Sequence, residues 1–212
     1  METGKMNEKQ IQIVDAAEHL FAEKGFHGTS VRDIAEKAQV NLAMISYYFG
    51  SKDQLLEAMF EYKSNLMATQ LEVLVHQSNS EPLEIIYSLI EHYIDKVLQQ
   101  QPFHKIMVRE QVVPSTSRVQ ELILGMRKRN LEIIHRVVTK GQDEGSFRKE
   151  IDFPLLMTTM FGAVNNMVTT QYYYRALSNL EHLSDEEFKQ VIREKLYKHL
   201  KEIFKSTLTN EA

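Results

Sequence analysis

The chain has 212 residues, of which 43% are hydrophobic and 25% charged, ordinary globular proportions that exclude disorder and collagen-like repeats. It has no cysteine, which removes disulfides, thiolate metal sites and cysteine nucleophiles and fits a reducing, cytoplasmic location. Its 25 Lys+Arg against 29 Asp+Glu give a formal charge of -4, which as a bulk property argues against a generic nucleic-acid binder, usually a basic protein.

In chain order, the opening METGKMNEKQ is polar, without the apolar run of a secretion signal. Across 8–24, Ile11, Val14, Ala17, Leu20 and Phe21 fall on one helix face, and Gly25 is a natural stop. Ser30 with Asp33 makes a capping-box pattern for a short helix with Val31, Ile34, Ala35 and Ala38 inward. Asn41 caps a third helix, which carries Ile45 and Phe49 on its inner face and ends at Gly50. Ser51 with Gln54 opens a long fourth helix over about 52–75. The polar stretch 76–80 interrupts it, and Pro82 starts a fifth helix with Leu83, Ile86, Ile90, Ile94 and Val97 along one stripe. Segments 103–113 and 119–140 read as two more, the second closed by Gly141 and Gly145. A last pair covers about 153–177 and 184–208, the latter opened by Ser184 with Glu187. No strand alternation or repeat is present, so the fold is all-α with about nine helices.

Segment 153–174 carries no charge for 22 residues, long enough to cross a bilayer. Asn165, Asn166, Gln171 and four threonines make it costly in lipid, so it reads as a helix between protein surfaces and no membrane partner is expected.

The segment that carries function is SVRDIAEKAQVNLAMISYYFGSK, residues 30–52. Two short helices around a tight turn, locked by Ala35, Val40 and Ile45, have the layout of a helix-turn-helix, in which the second helix is free to enter a major groove. Leu42, Ala43, Met44, Tyr47 and Tyr48 face outward by helical spacing. Ala43 permits close approach, Leu42, Ala43 and Met44 suit thymine methyls, and the tyrosines reach phosphates or base edges.

Residues 8–55 resemble the N-terminal DNA-binding domain of the TetR family of bacterial one-component regulators. The resemblance rests on Ala16, Ala17, Leu20, Phe21 and Gly25, then Thr29-Ser30-Val31-Arg32-Asp33-Ile34-Ala35, then Val40, Ile45, Tyr47, Tyr48, Phe49 and Ser51-Lys52. Gly141-Gln142 with Gly145-Ser146-Phe147 is similar to a recurrent ending of that family's seventh helix. Two positions depart from the pattern: Gln39 stands where the family usually has Gly in the turn, and Ser46 where it often has Tyr.

The resemblance implies a DNA-binding domain over 1–51 and a helical effector-binding and dimerisation domain over 52–212. It implies a repressor that binds a palindromic operator in double-stranded DNA as a homodimer and is released by a small molecule. By position, Thr29 and Ser30 would bind a phosphate, Arg32 a base or neighbouring phosphate, and Tyr47 and Lys52 the backbone, while Asn41, which caps the third helix, and Ser46 on it are further DNA-binding candidates. For the effector, Phe103, Met107, Met126, Met160 and Phe161 are pocket-like apolar residues, and Tyr93, Arg109, Asn130, Asn165 and Asn166 are polar handles, although such stripes are more often ordinary core. For the dimer, Thr159, Ala163, Val164, Met167 and Gln171 lie along one helix beside Gly162. Phe188, Val191, Ile192, Leu196, His199, Leu200 and Ile203 lie along the other, and two such hairpins can pair as a four-helix bundle.

Enzyme readings find little purchase. The eight histidines are not spaced as metal ligands within a helix turn, and neither HExxH, GxGxxG, a P-loop nor GxSxG occurs, so no metal or cofactor is expected. The competing readings are a DNA-binding protein of the same fold acting in chromosome organisation and, more remotely, a helical ligand-binding protein or enzyme. Residues 1–55 hold six Lys/Arg against eight Asp/Glu, so affinity for DNA has to come from placed contacts and not from bulk charge.

Overall fold

Ten helices and no strand occur among residues 6–76, 80–99 and 101–210, the part of the chain described by the computed structural model. They are α1 (Glu8–Lys24), α2 (Val31–Lys37), α3 (Leu42–Phe49), α4 (Lys52–His76), α5 (Pro82–Gln99), α6 (Gln101–Val112), α7 (Ser117–Asp143), α8 (Phe153–Thr169), α9 (Gln171–Leu177) and α10 (Asp185–Leu208). Two parts of the sequence reading, the start of the polar leader at 1–5 and the centre of the 76–80 break at 77–79, lie outside the described residues.

The helices begin where short polar side chains replace missing backbone partners. At α2, the Asp33 N–H donates to Ser30 Oγ at 3.1 Å and the Ser30 N–H to Asp33 Oδ2 at 2.9 Å, the reciprocal pair of a capping box. Ser184 and Glu187 do the same at α10, and Asn41 Oδ1 accepts the Ala43 N–H at 2.9 Å to start α3. A third box, Asn7 with Gln10, opens α1 without having been anticipated. Gly25, at φ 79°, turns the chain out of α1 as its position suggested.

One expected helix is two. The run 153–177 breaks at Thr170 (φ -121°) into α8 and α9. Thr170 Oγ1 donates to the Asn166 carbonyl at 2.6 Å and Thr169 Oγ1 to that of Asn165 at 2.9 Å. Threonine hydroxyls that bond back one turn weaken the backbone ladder and bend a helix, which accounts for ten helices instead of nine.

By packing, the described chain forms two units. The first joins Met1–Ala68 to Pro102–Arg129, and the second joins Thr69–Gln101 to Asn130–Ala212. The first has one core, in which Phe21, Ile34, Ile45 and Phe60 share a cluster with Phe103, Met107, Ile123 and Met126. Residues 51 and 52 therefore mark the start of α4 but not a division in packing. The second unit is built on α5, α8 and α10, with Ile86, Ile90, Val164, Ile192, Leu200 and Phe204 at its centre. Arg193 of α10 binds Glu91 and both oxygens of Asp95 on α5. No described helix is long and apolar enough to cross a membrane.

The turn between α2 and α3 holds Gln39 at φ 50°, a left-handed conformation that costs a side chain about 1 kcal/mol relative to Gly. Gln39→Gly is expected to stabilise the protein by about 0.5–1 kcal/mol, read as a higher urea midpoint at unchanged slope. A destabilised variant would show that the Gln39 side chain has a role this strain conceals.

Candidate nucleic-acid interface

α2 and α3 are fixed from inside. Ile34, Ala35, Ala38, Ile45 and Phe49 are all buried, and the Val40 N–H reaches back to the Ala35 carbonyl at 3.0 Å, tightening the turn. Helical periodicity then leaves the other side of α3 open. Leu42, Ala43, Ser46 and Tyr47 are exposed and Met44 and Tyr48 half-buried, with Tyr47 83% exposed and its ring edge-on to Tyr48 at 5.1 Å. An apolar, small and hydroxylated surface of this kind suits base methyls and hydrogen bonds to phosphate oxygens. Arg32 is exposed on α2. The Ser30 backbone N–H, then its hydroxyl, hold the Asp33 carboxyl below the usual carboxylate range, keeping the capping box ionised.

Two expected phosphate ligands are engaged elsewhere. Thr29 is 1% exposed, and its hydroxyl faces the Leu20 and Gly25 carbonyls at 3.2 and 2.8 Å, so it joins the start of α2 to the end of α1 and does not present an oxygen outward. Lys52 Nζ donates to the Phe26 and Thr29 carbonyls, both at 2.9 Å, and lies 4.3 Å from the centre of the Phe26 ring. Its first role is to clamp the α1–α2 turn onto α4. A nearby lysine carries no sequence mark that separates a phosphate contact from a carbonyl clamp.

The effector candidates fall into two groups. Phe103, Met107 and Met126 are buried in the first unit's core. Arg109 Nη1 donates to the Phe21 carbonyl at 3.0 Å. In the second unit, Tyr93 meets two other candidates: its ring packs edge-on against Phe161 at 5.1 Å, and its hydroxyl donates to Asn165 Oδ1 at 3.2 Å. Met160 is buried in the same core, while Asn130 is half-buried with its Oδ1 enclosed and without a hydrogen-bond partner. Asn166 is exposed, its carbonyl taken by Thr170. An open cavity of about 400 Å³ in this unit, lined by Glu81, Pro82, Leu83, Gly145, Ser146, Thr209 and Asn210, includes none of these candidates.

The dimer candidates also divide. Ile192, Leu196 and Leu200 are buried within the chain's own core, as are Val164 and Phe188. Thr159 and His199 are exposed, and Ala163, Met167, Gln171, Val191 and Ile203 are half-buried. Around them α8 and α9 expose Leu155, Gly162, Tyr172, Tyr173 and Leu177. Apolar periodicity marks a face that needs covering without saying which surface covers it.

Compared with known proteins, residues 13–59 match the family described as "Bacterial regulatory proteins, tetR family", and residues 60–194 match "YsiA-like protein, C-terminal region". The fatty acid metabolism regulator protein of Bacillus subtilis is 26% identical over 177 residues, spanning 81% of this chain and 90% of that one. Among solved structures, the fatty acid degradation regulator FadR of Bacillus halodurans has the same fold, with a TM-score of 0.73 at 21% identity over 93% of this chain and 97% of that one. FadR of Bacillus subtilis, solved in complex with stearoyl-CoA, gives 0.69 at 22% identity over 90% and 96% of the two chains.

Proposed function

The chain belongs to the TetR family of bacterial regulatory proteins and is a helix-turn-helix transcriptional regulator; from that premise we propose that it is a cytoplasmic homodimeric repressor, bound to a palindromic operator and released by a long-chain acyl-CoA. The observation that carries the reading is α3 itself, held by Ile45 and Phe49 with Leu42, Ala43, Ser46 and Tyr47 turned outward. A helix of 8 residues reads one half-site, and a two-fold pair reads two, about 34–36 Å apart. The pairing is supported by the apolar and small residues that α8 and α9 leave open, Leu155, Gly162, Ala163, Met167 and Tyr173 among them, a patch of the kind that marks a protein interface. The effector class is supported by the Bacillus subtilis FadR structure with stearoyl-CoA. The half-buried Tyr93, Phe161 and Asn165 cluster offers an acyl chain an aromatic wall beside two polar atoms.

Selection from random duplexes tests this directly. It is expected to return a palindrome with half-sites one helical turn apart, from which stearoyl-CoA, but neither coenzyme A nor stearate alone, displaces the protein. Tyr47→Ala is expected to bind the selected duplex about tenfold more weakly, the value of one good contact, with an unchanged thermal midpoint. Binding spread over all sequences and indifferent to stearoyl-CoA would overturn the proposal in favour of a role in chromosome organisation.

A further inference from the structure

The carboxyl end of α1 and the turn after it are held by cations from two distant parts of the chain. Lys52, at the start of α4, takes the Phe26 and Thr29 carbonyls. Arg109, on α6, donates Nη1 to the Phe21 carbonyl at 3.0 Å, the oxygen that also accepts the Gly25 N–H at 3.0 Å. The last carbonyls of a helix carry the negative end of its dipole, so a cation is favoured there, and a guanidinium bond to carbonyl is charge-assisted. Gly25 makes this approach possible, because a β-carbon at that position would stand 3.0 Å from Arg109 Nη1.

The same helix end determines where α2 begins. The Thr29 hydroxyl reaches the Leu20 and Gly25 carbonyls on either side of Phe21, and Ser30, the next residue, caps α2. A series of named contacts thus runs from Arg109 through Phe21 and Gly25 to Thr29 and α2, all within the first unit. Arg109 is itself exposed, so its removal opens no cavity in the core. We propose that Arg109 is a positioning residue for DNA binding: without touching DNA, it holds from α6 the turn that orients α2 and α3. The proposal rests on the reading of α3 as the recognition helix.

The test compares Arg109→Ala and Arg109→Lys with the wild-type protein on a duplex that the wild type selects. Arg109→Ala is expected to lose about tenfold in affinity, as for one charge-assisted bond. Its slope of log affinity against log salt is expected to stay unchanged, because no phosphate contact is removed. Amide exchange at Thr29 should quicken, and Arg109→Lys, which keeps a cation at the helix end, should recover most of the affinity. Undiminished affinity in Arg109→Ala would overturn the proposal, as would a shallower salt slope, which would make Arg109 a direct phosphate ligand. Were no duplex selected, the regulator reading would fail on its own, and Thr29 exchange in the two variants would still decide whether Arg109 holds the turn.

Discussion

Replacing Lys63 by Ala is expected to destabilise the protein by about 3–5 kcal/mol, the usual consequence of stranding a buried charge. Lys63 Nζ on α4 lies 2.6 Å from Glu18 Oε2 on α1, and the two side chains are only 13% and 10% exposed. Glu18 sits among Val14, Ala17 and Phe21 on the inward face of α1. For a chain of this size the thermal midpoint should fall by about 6–20 °C. The double replacement Glu18→Leu with Lys63→Met fills the same space without charge and is expected to lie within about 1 kcal/mol of wild type, since a buried pair contributes little net stability. Urea unfolding of both variants checks the difference. A Lys63→Ala cost below about 1 kcal/mol would mean that Glu18 escapes to solvent and that the pair does not fix α1 on α4.

A fragment of residues 1–51 is expected not to fold. Its inward residues, Ile13, Phe21, Ile34 and Ile45, complete their core only with Leu55, Leu56, Met59 and Phe60 of α4 and with Phe103, Ile106, Val119 and Ile123 beyond it. Alone, a piece of roughly 50 residues buries too small a fraction of its surface to offset chain entropy. Its circular dichroism should show little helix and no cooperative melt. A sigmoidal melt in the fragment would make the boundary at residue 51 a true folding boundary and the α4, α6 and α7 contacts dispensable.

What could be read from the sequence follows from range. Caps act over three residues, so Ser30 with Asp33 and Ser184 with Glu187 announced α2 and α10 directly. Apolar spacing acts over a helix turn, so Ile45 and Phe49 were legible as the inner side of α3 and Tyr47 as the outer. The partners of Lys52 and Arg109 are backbone carbonyls 23 to 88 residues away, and a carbonyl has no identity in a sequence. Ile192, Leu196 and Leu200 show the same limit for apolar faces: their spacing signals burial equally well beneath a second copy or beneath α5 and α8 of the same chain. At Thr170 two adjacent threonines were visible, yet the break needed both hydroxyls to bond backward, a choice that rotamers make and composition does not.

The first unit is assembled from two stretches separated by residues 69–101, and this affects the protein's birth. At about 5–20 residues per second on the ribosome, roughly 3–13 s pass between the synthesis of Phe60 and that of Met126, the last buried residue of that core. During this interval the apolar side of the helix-turn-helix module lacks the α6 and α7 part of its core. The fold that presents α3 is therefore complete only after Met126 is made, although α3 itself is among the first segments synthesised.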